Sequence, residues 1–196
     1  SHAITPMSPQ GGARKSSIGA DFQRVLLKPG REHSLLRRHP WIFSGAIESV
    51  YGDPKPGATV AIYASDETFL AWAAYSPNSQ IRARVWSFEE TRYPDDAWLR
   101  SQLAAAIARR ANMEPWESRN AWRLVHAESD GLPGIVVDRY ADCLVIQLST
   151  LGADVRRDAV VEALTDLTGC ARIWERSDSD ARSLEGLMPR EGTLLG

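Results

Sequence analysis

From residue 22 the chain runs in short stretches rich in apolar, β-branched and aromatic residues, over 22–28, 46–51, 59–64, 68–75 and 81–88. Such stretches, bounded by turn residues, predict β-strands. Between the stretches lie Pro29-Gly30, Gly52-Asp53-Pro54, Pro56-Gly57 and Ser65-Asp66, which suit turns. One short helix is predicted over 31–38. Pro40 ends it, since proline disfavours helical geometry in the residue before it. Short strands broken this often predict a small, mostly β barrel that ends near Arg92.

The period then changes. Pro94-Asp95-Asp96 puts acids at a helix start, and Leu99, Leu103, Ala106 and Ile107 recur at helical spacing until Arg109 and Arg110. Beyond a loop around Pro115, strands are predicted over 122–128, 134–140 and 143–149. A helix over 154–168 follows, with Val160, Ala163, Leu164 and Leu167 on its apolar line and Gly169 as its stop. A strand over 172–175 precedes the charged stretch SDSDARSLEG. The expected fold class is α+β: a barrel over 22–92, then a small α+β unit over 93–190. Residues 1–21, rich in Ser, Gly, Pro and Ala, are expected to form a disordered tail.

Charge changes this picture locally. The 196 residues carry a net charge of -2, so nucleic acid could not be held by the whole surface, only by patches. One patch is evident: Arg24, Lys28, Arg31, Arg37 and Arg38 stand against the single acid Glu32. A second lies in IRARVW, where alternation sends Ile81, Ala83 and Val85 one way and Arg82, Arg84 and Trp86 the other. Two arginines beside a flat indole suit RNA grooves or unpaired bases, and equally suit a solvated strand face with arginine packed over tryptophan. Arg37 and Arg38 could also cap the short helix.

His39-Pro40-Trp41 reads as a packing corner, with no acid or nucleophile beside His39 in sequence. His126, Glu128 and Asp130 alternate and could line one strand face as a metal or acid-base group, although Asp130-Gly131-Leu132-Pro133-Gly134 is also good turn chemistry. Ser76-Pro77-Asn78-Ser79 has the same turn character. Cys143 and Cys170 lack metal or redox spacing and read as reduced structural thiols. The chain has no dinucleotide fingerprint, phosphate loop, nucleophile elbow or zinc spacing, so neither a bound cofactor nor a metal is expected within it. No apolar run is long enough to cross a bilayer and no secretory pattern opens the chain, which points to the cytoplasm.

Four longer motifs bring a family into view. SLLRRHPWIFSGAI (34–47), AYSPNSQIRARVWSF (74–88), ESDGLPGIVVDRY (128–140) and RSD (176–178) with Glu185-Gly186 resemble, in this order, the large-subunit rRNA cytosine-C5 methyltransferases of the RlmI type. The resemblance runs from about residue 22 to 187. It implies an N-terminal PUA domain over 22–92 and a central α+β domain over 93–190. It also implies a linker starting at 191–196 toward a methyltransferase domain, which would bind S-adenosylmethionine and carry the catalytic cysteine. Neither Cys143 nor Cys170 matches that cysteine, so this chain alone is not expected to methylate. The implied partner is ribosomal RNA, contacted by Lys28, Arg31, Arg37, Arg38, Arg82, Arg84 and Trp86. A dimerisation or interdomain scaffold, possible as a homodimer, is the alternative role.

Overall fold

The computed structural model describes residues 23–111 and 121–196. The expected tail over 1–21, residue 22 and the loop around Pro115 lie outside the described residues. The first unit comprises β1 (Arg24–Leu27), α1 (His33–Leu36), β2 (Trp41–Phe43), β3 (Ile47–Tyr51), β4 (Thr59–Tyr63), β5 (Phe69–Tyr75) and β6 (Ile81–Ser87). Its strands form one six-stranded sheet in the order β2-β6-β5-β4-β1-β3. β1 runs parallel to β4, and every other neighbouring pair is antiparallel.

The connection between the two edges explains the sheet's curvature. β2 and β3 occupy opposite edges, yet only the 3-10 turn Ser44–Ala46 joins them. Edges of a flat six-stranded sheet would stand about 24 Å apart, whereas that link reaches about 14 Å at full stretch. The sheet must therefore curl into a barrel-like form. Val25, Leu27, Ile42, Val60, Ile62, Ala73, Ala83 and Val85 fill it, all buried.

The second unit runs α2 (Asp96–Ala111), β7 (Ala121–His126), β8 (Ile135–Tyr140), β9 (Cys143–Leu148), α3 (Leu151–Asp154), α4 (Arg157–Thr168), β10 (Arg172–Ser177), α5 (Asp180–Leu184) and β11 (Arg190–Leu195). Its five-stranded sheet has the order β11-β10-β9-β8-β7, with β9 and β10 parallel across the α4 crossover. α2 starts where the acids predict it, and the Asp95 carboxylate accepts the Trp98 amide at 2.8 Å. Leu99, Leu103 and Ala106 on α2 share a core with Val160, Ala163 and Leu164 on α4 and with Leu144, Ile146 and Leu148 on β9.

Three expectations are corrected. The helix expected over 154–168 starts instead at Arg157, because residues 151–154 close into a separate turn, α3, which the Thr150 hydroxyl caps by accepting the Ala153 amide at 3.2 Å. The helix over 31–38 keeps only four residues, since Arg38 takes a left-handed conformation at φ 66° and turns the chain out. Residues 191–196, expected to begin a linker, instead contribute to β11, which pairs antiparallel with β10.

Candidate nucleic-acid interface

α1 and its flanks carry the predicted cations. Lys28, Arg31, Arg37 and Arg38 are all exposed. Arg37 is the C-cap of α1, and the Arg38 guanidinium lies 5.0 Å from the Phe88 ring centre. The Arg37 amide closes the helix on the His33 carbonyl, while both side chains stay outside any ion pair among the described residues.

Beside these cations lies a pocket of about 130 Å³, walled by Arg31, Ser34, Trp41, Phe43 and Gly45 over a floor of Leu27, Leu35 and Ile42. Trp41 and Phe43 point outward from β2 with ring centres 6.5 Å apart, and Phe43 is half-exposed. His39 stands edge-on to Trp41 and its Nδ1 accepts the Trp41 amide at 3.3 Å. The Trp41 indole N–H is buried and has no protein partner among the described residues. A buried donor of this kind favours any ligand acceptor that reaches it.

Residues 25–88 match the family model of the PUA-like domain. This part of the chain is a PUA-like domain.

Over most of its length the chain is also similar to curated rRNA methyltransferases. It is 47% identical over 175 residues to ribosomal RNA large subunit methyltransferase I of Shewanella denitrificans, covering 88% of this chain and 44% of that protein. It is 46% identical over 172 residues to the Aeromonas hydrophila protein of the same name, covering 88% and 43%. The chain therefore spans less than half the length of these relatives. Among solved structures, a Streptococcus mutans protein provisionally described as a SAM-dependent methyltransferase superposes with a TM-score of 0.70 at 17% identity, covering 88% of this chain and 43% of that one. A second, provisionally a methyltransferase and complexed with SAH, gives 0.66 at 18%, covering 79% and 40%. At such identity these two structures show the shared fold alone.

The structure separates the remaining predicted contacts of the PUA-like domain. Arg82 stays on the outward face of β6, half-buried, its Nε donating to the Ser79 carbonyl at 3.0 Å. Arg84 and Trp86 do not share an open face with it. Arg84 pairs with Glu185 and Glu128 of the second unit, and Trp86 is only 5% exposed, standing edge-on to Trp98 at 6.1 Å. The second unit covers this end of β6, so strand alternation alone misassigns the tryptophan. In the Ser76–Ser79 turn both serines are buried, leaving Asn78 exposed.

His126, Glu128 and Asp130 do not come together as one group among the described residues. Asp130 binds Arg109 and Arg110 at 2.8 and 2.9 Å and accepts the His126 amide at 2.6 Å, while Glu128 turns to Arg84. Burial alone would raise the Asp130 pKa, but the two guanidinium hydrogen bonds and the amide outweigh it and hold the carboxyl below its usual value. No cluster suited to a metal exists among the described residues, and no described helix is long and apolar enough to cross a membrane.

Sequence reasoning missed Trp41 and Phe43 as pocket walls. Their signal was present: two aromatics flanking the buried Ile42 on a strand are bound to share the opposite face.

Proposed function

We propose that this chain docks structured ribosomal RNA for an S-adenosylmethionine-dependent (cytosine-C5) methyltransferase whose donor-binding and catalytic domain lies outside these residues. One observation carries it. Lys28, Arg31, Arg37, Arg38 and Arg82 have no carboxylate partner among the described residues. In the second unit Arg100, Arg109, Arg110, Arg123, Arg156, Arg157, Arg172, Arg176, Arg182 and Arg190 are all ion-paired. Positive charge free to meet phosphate is thus available on the PUA-like domain, and Arg31 lines an aromatic pocket able to receive an unstacked base. The similarity to rRNA methyltransferases supports ribosomal RNA as the nucleic acid and a methyl transfer as the purpose.

The test is titration of the chain with structured fragments of large-subunit rRNA at several salt concentrations. Binding should weaken steeply as salt rises, because phosphate contacts release counterions. Replacing Arg37 and Arg38 together by alanine should weaken binding while the circular dichroism spectrum is unchanged. Salt-independent binding, or none at low salt, would sink this role.

A further inference from the structure

Arg84 joins three separate parts of the molecule. Its Nε donates to Glu185 at 3.0 Å, its terminal nitrogen meets Glu128 at 3.4 Å, and its guanidinium carbon lies 5.1 Å from the centre of the Trp41 ring. Trp41 walls the pocket of the PUA-like domain; Glu128 lies in the turn after β7, and Glu185 follows α5. The Glu185 side chain is 1% exposed, and Arg84 is its one charged partner among the described residues. Its second oxygen has no partner there.

We infer that Arg84 is a positioning residue. It holds the Trp41 ring in register with the second unit, so that the pocket meets RNA with its wall in a fixed position. This inference rests on the RNA-docking role. Charge decides against Arg84 itself as a phosphate contact. One cation between two carboxylates leaves the spot net negative, and a guanidinium that swung out to phosphate would abandon a buried carboxylate. The planar fork suits the task, since it can bond sideways to carboxylates while its face lies on an indole.

The experiment uses the whole chain labelled with 5-fluorotryptophan, with the Trp41 resonance assigned through W41F, and compares R84Q, E185Q and the double variant. R84Q should shift or broaden the Trp41 fluorine signal and weaken RNA binding about tenfold, leaving the slope of log affinity against log salt unchanged. E185Q should act in the same direction, and the double variant should be no worse than either single. Two results overturn the inference: an unmoved Trp41 signal in R84Q, or a slope reduced by about 0.7 to 0.9 together with tighter binding by E185Q, the signature of a phosphate contact. If R84Q does not fold, R84M/E185M, which removes both charges, takes its place in the same comparison. If the unaltered chain binds no RNA, the docking role fails by itself, and the fluorine signal still decides the link between Arg84 and Trp41.

Discussion

Gly152 on α3 lies directly against Ala74 on β5, so closely that a Cβ added at Gly152 would overlap the Ala74 methyl and come within 3.0 Å of Trp86 Cζ2. This contact, with the Trp86–Trp98 pair and Arg156 at 5.5 Å from the Trp86 ring centre, packs the two units together. Backbone and strand are both rigid here, so G152A should cost about 1–3 kcal/mol by overpacking. Denaturant titration measures it. Adding A74G should recover part of the loss in the G152A background while costing stability on its own, a coupling expected only of touching sites. Simple additivity would show that the two residues do not meet.

Asp130 predicts a distinct pH dependence. Its carboxyl is held below the unfolded value of about 3.9 by Arg109, Arg110 and the His126 amide. A depressed folded pKa contributes stability that is fully present above the unfolded value and is lost as pH falls through the folded one. D130N should therefore cost about 1–3 kcal/mol at pH 7, where it leaves buried bonds poorly made. The difference from the unaltered chain should shrink as pH drops below about 4. Urea midpoints at pH 7 and pH 3 check this, and an equal gap at both would refute the assignment.

The strands of the barrel were legible because short apolar stretches are bounded by turn residues; β1 also alternates, whereas β4 and β5 are buried on both faces and read as continuous apolar runs. α2 was legible because Asp95 caps it and Leu99, Leu103 and Ala106 repeat on one side. Trp86 was not, for a physical reason. Alternation tells which residues share a face, and it carries no information about what a later stretch of chain lays over that face. The same limit hid the partners of Arg84, which are 44 and 101 residues away in sequence. β2 is three residues long, and with Trp41 taken into the His39-Pro40-Trp41 corner its brief alternation around Ile42 was not used to pair Trp41 with Phe43. β11, REGTLL, has a glycine within it and little alternation; its place comes from pairing with β10.

Glu175 is fully buried on β10 and ties three elements together. It receives Arg157 of α4 through both oxygens, at 2.7 and 3.0 Å, Arg190 of β11 at 3.1 Å, and the Ser177 hydroxyl at 2.7 Å. Burial alone would lower the Arg157 pKa, but the hydrogen bonds it donates to Glu175 and Asp154 overcome this and raise it. Because E175Q takes one of two carboxylate partners from the mostly buried Arg157, which keeps Asp154, it should cost about 1–3 kcal/mol, whereas R157M/E175M should cost less than either charge-removing single variant. Thermal or urea denaturation of the three variants gives the order, and a double variant worse than E175Q would contradict the argument.

Arg38 sets stability against function at one residue. Its φ of 66° is a left-handed conformation that glycine adopts without strain and that costs other residues about 1–2 kcal/mol. The backbone there is fixed by the Arg38 amide to the Leu35 carbonyl and the His39 amide to the Ser34 carbonyl, both 2.9 Å, neither of which needs a side chain. What arginine adds is an exposed cation beside Phe88, worth about 0.5–1 kcal/mol as a cation-π contact. The strain relieved by R38G should equal or exceed that contact, so its denaturation midpoint should stay level or rise. Its RNA affinity should fall, and its salt slope should lose close to one counterion's worth if the guanidinium meets a phosphate. A variant that is destabilised yet binds RNA as before would make Arg38 a structural residue and remove it from the proposed face.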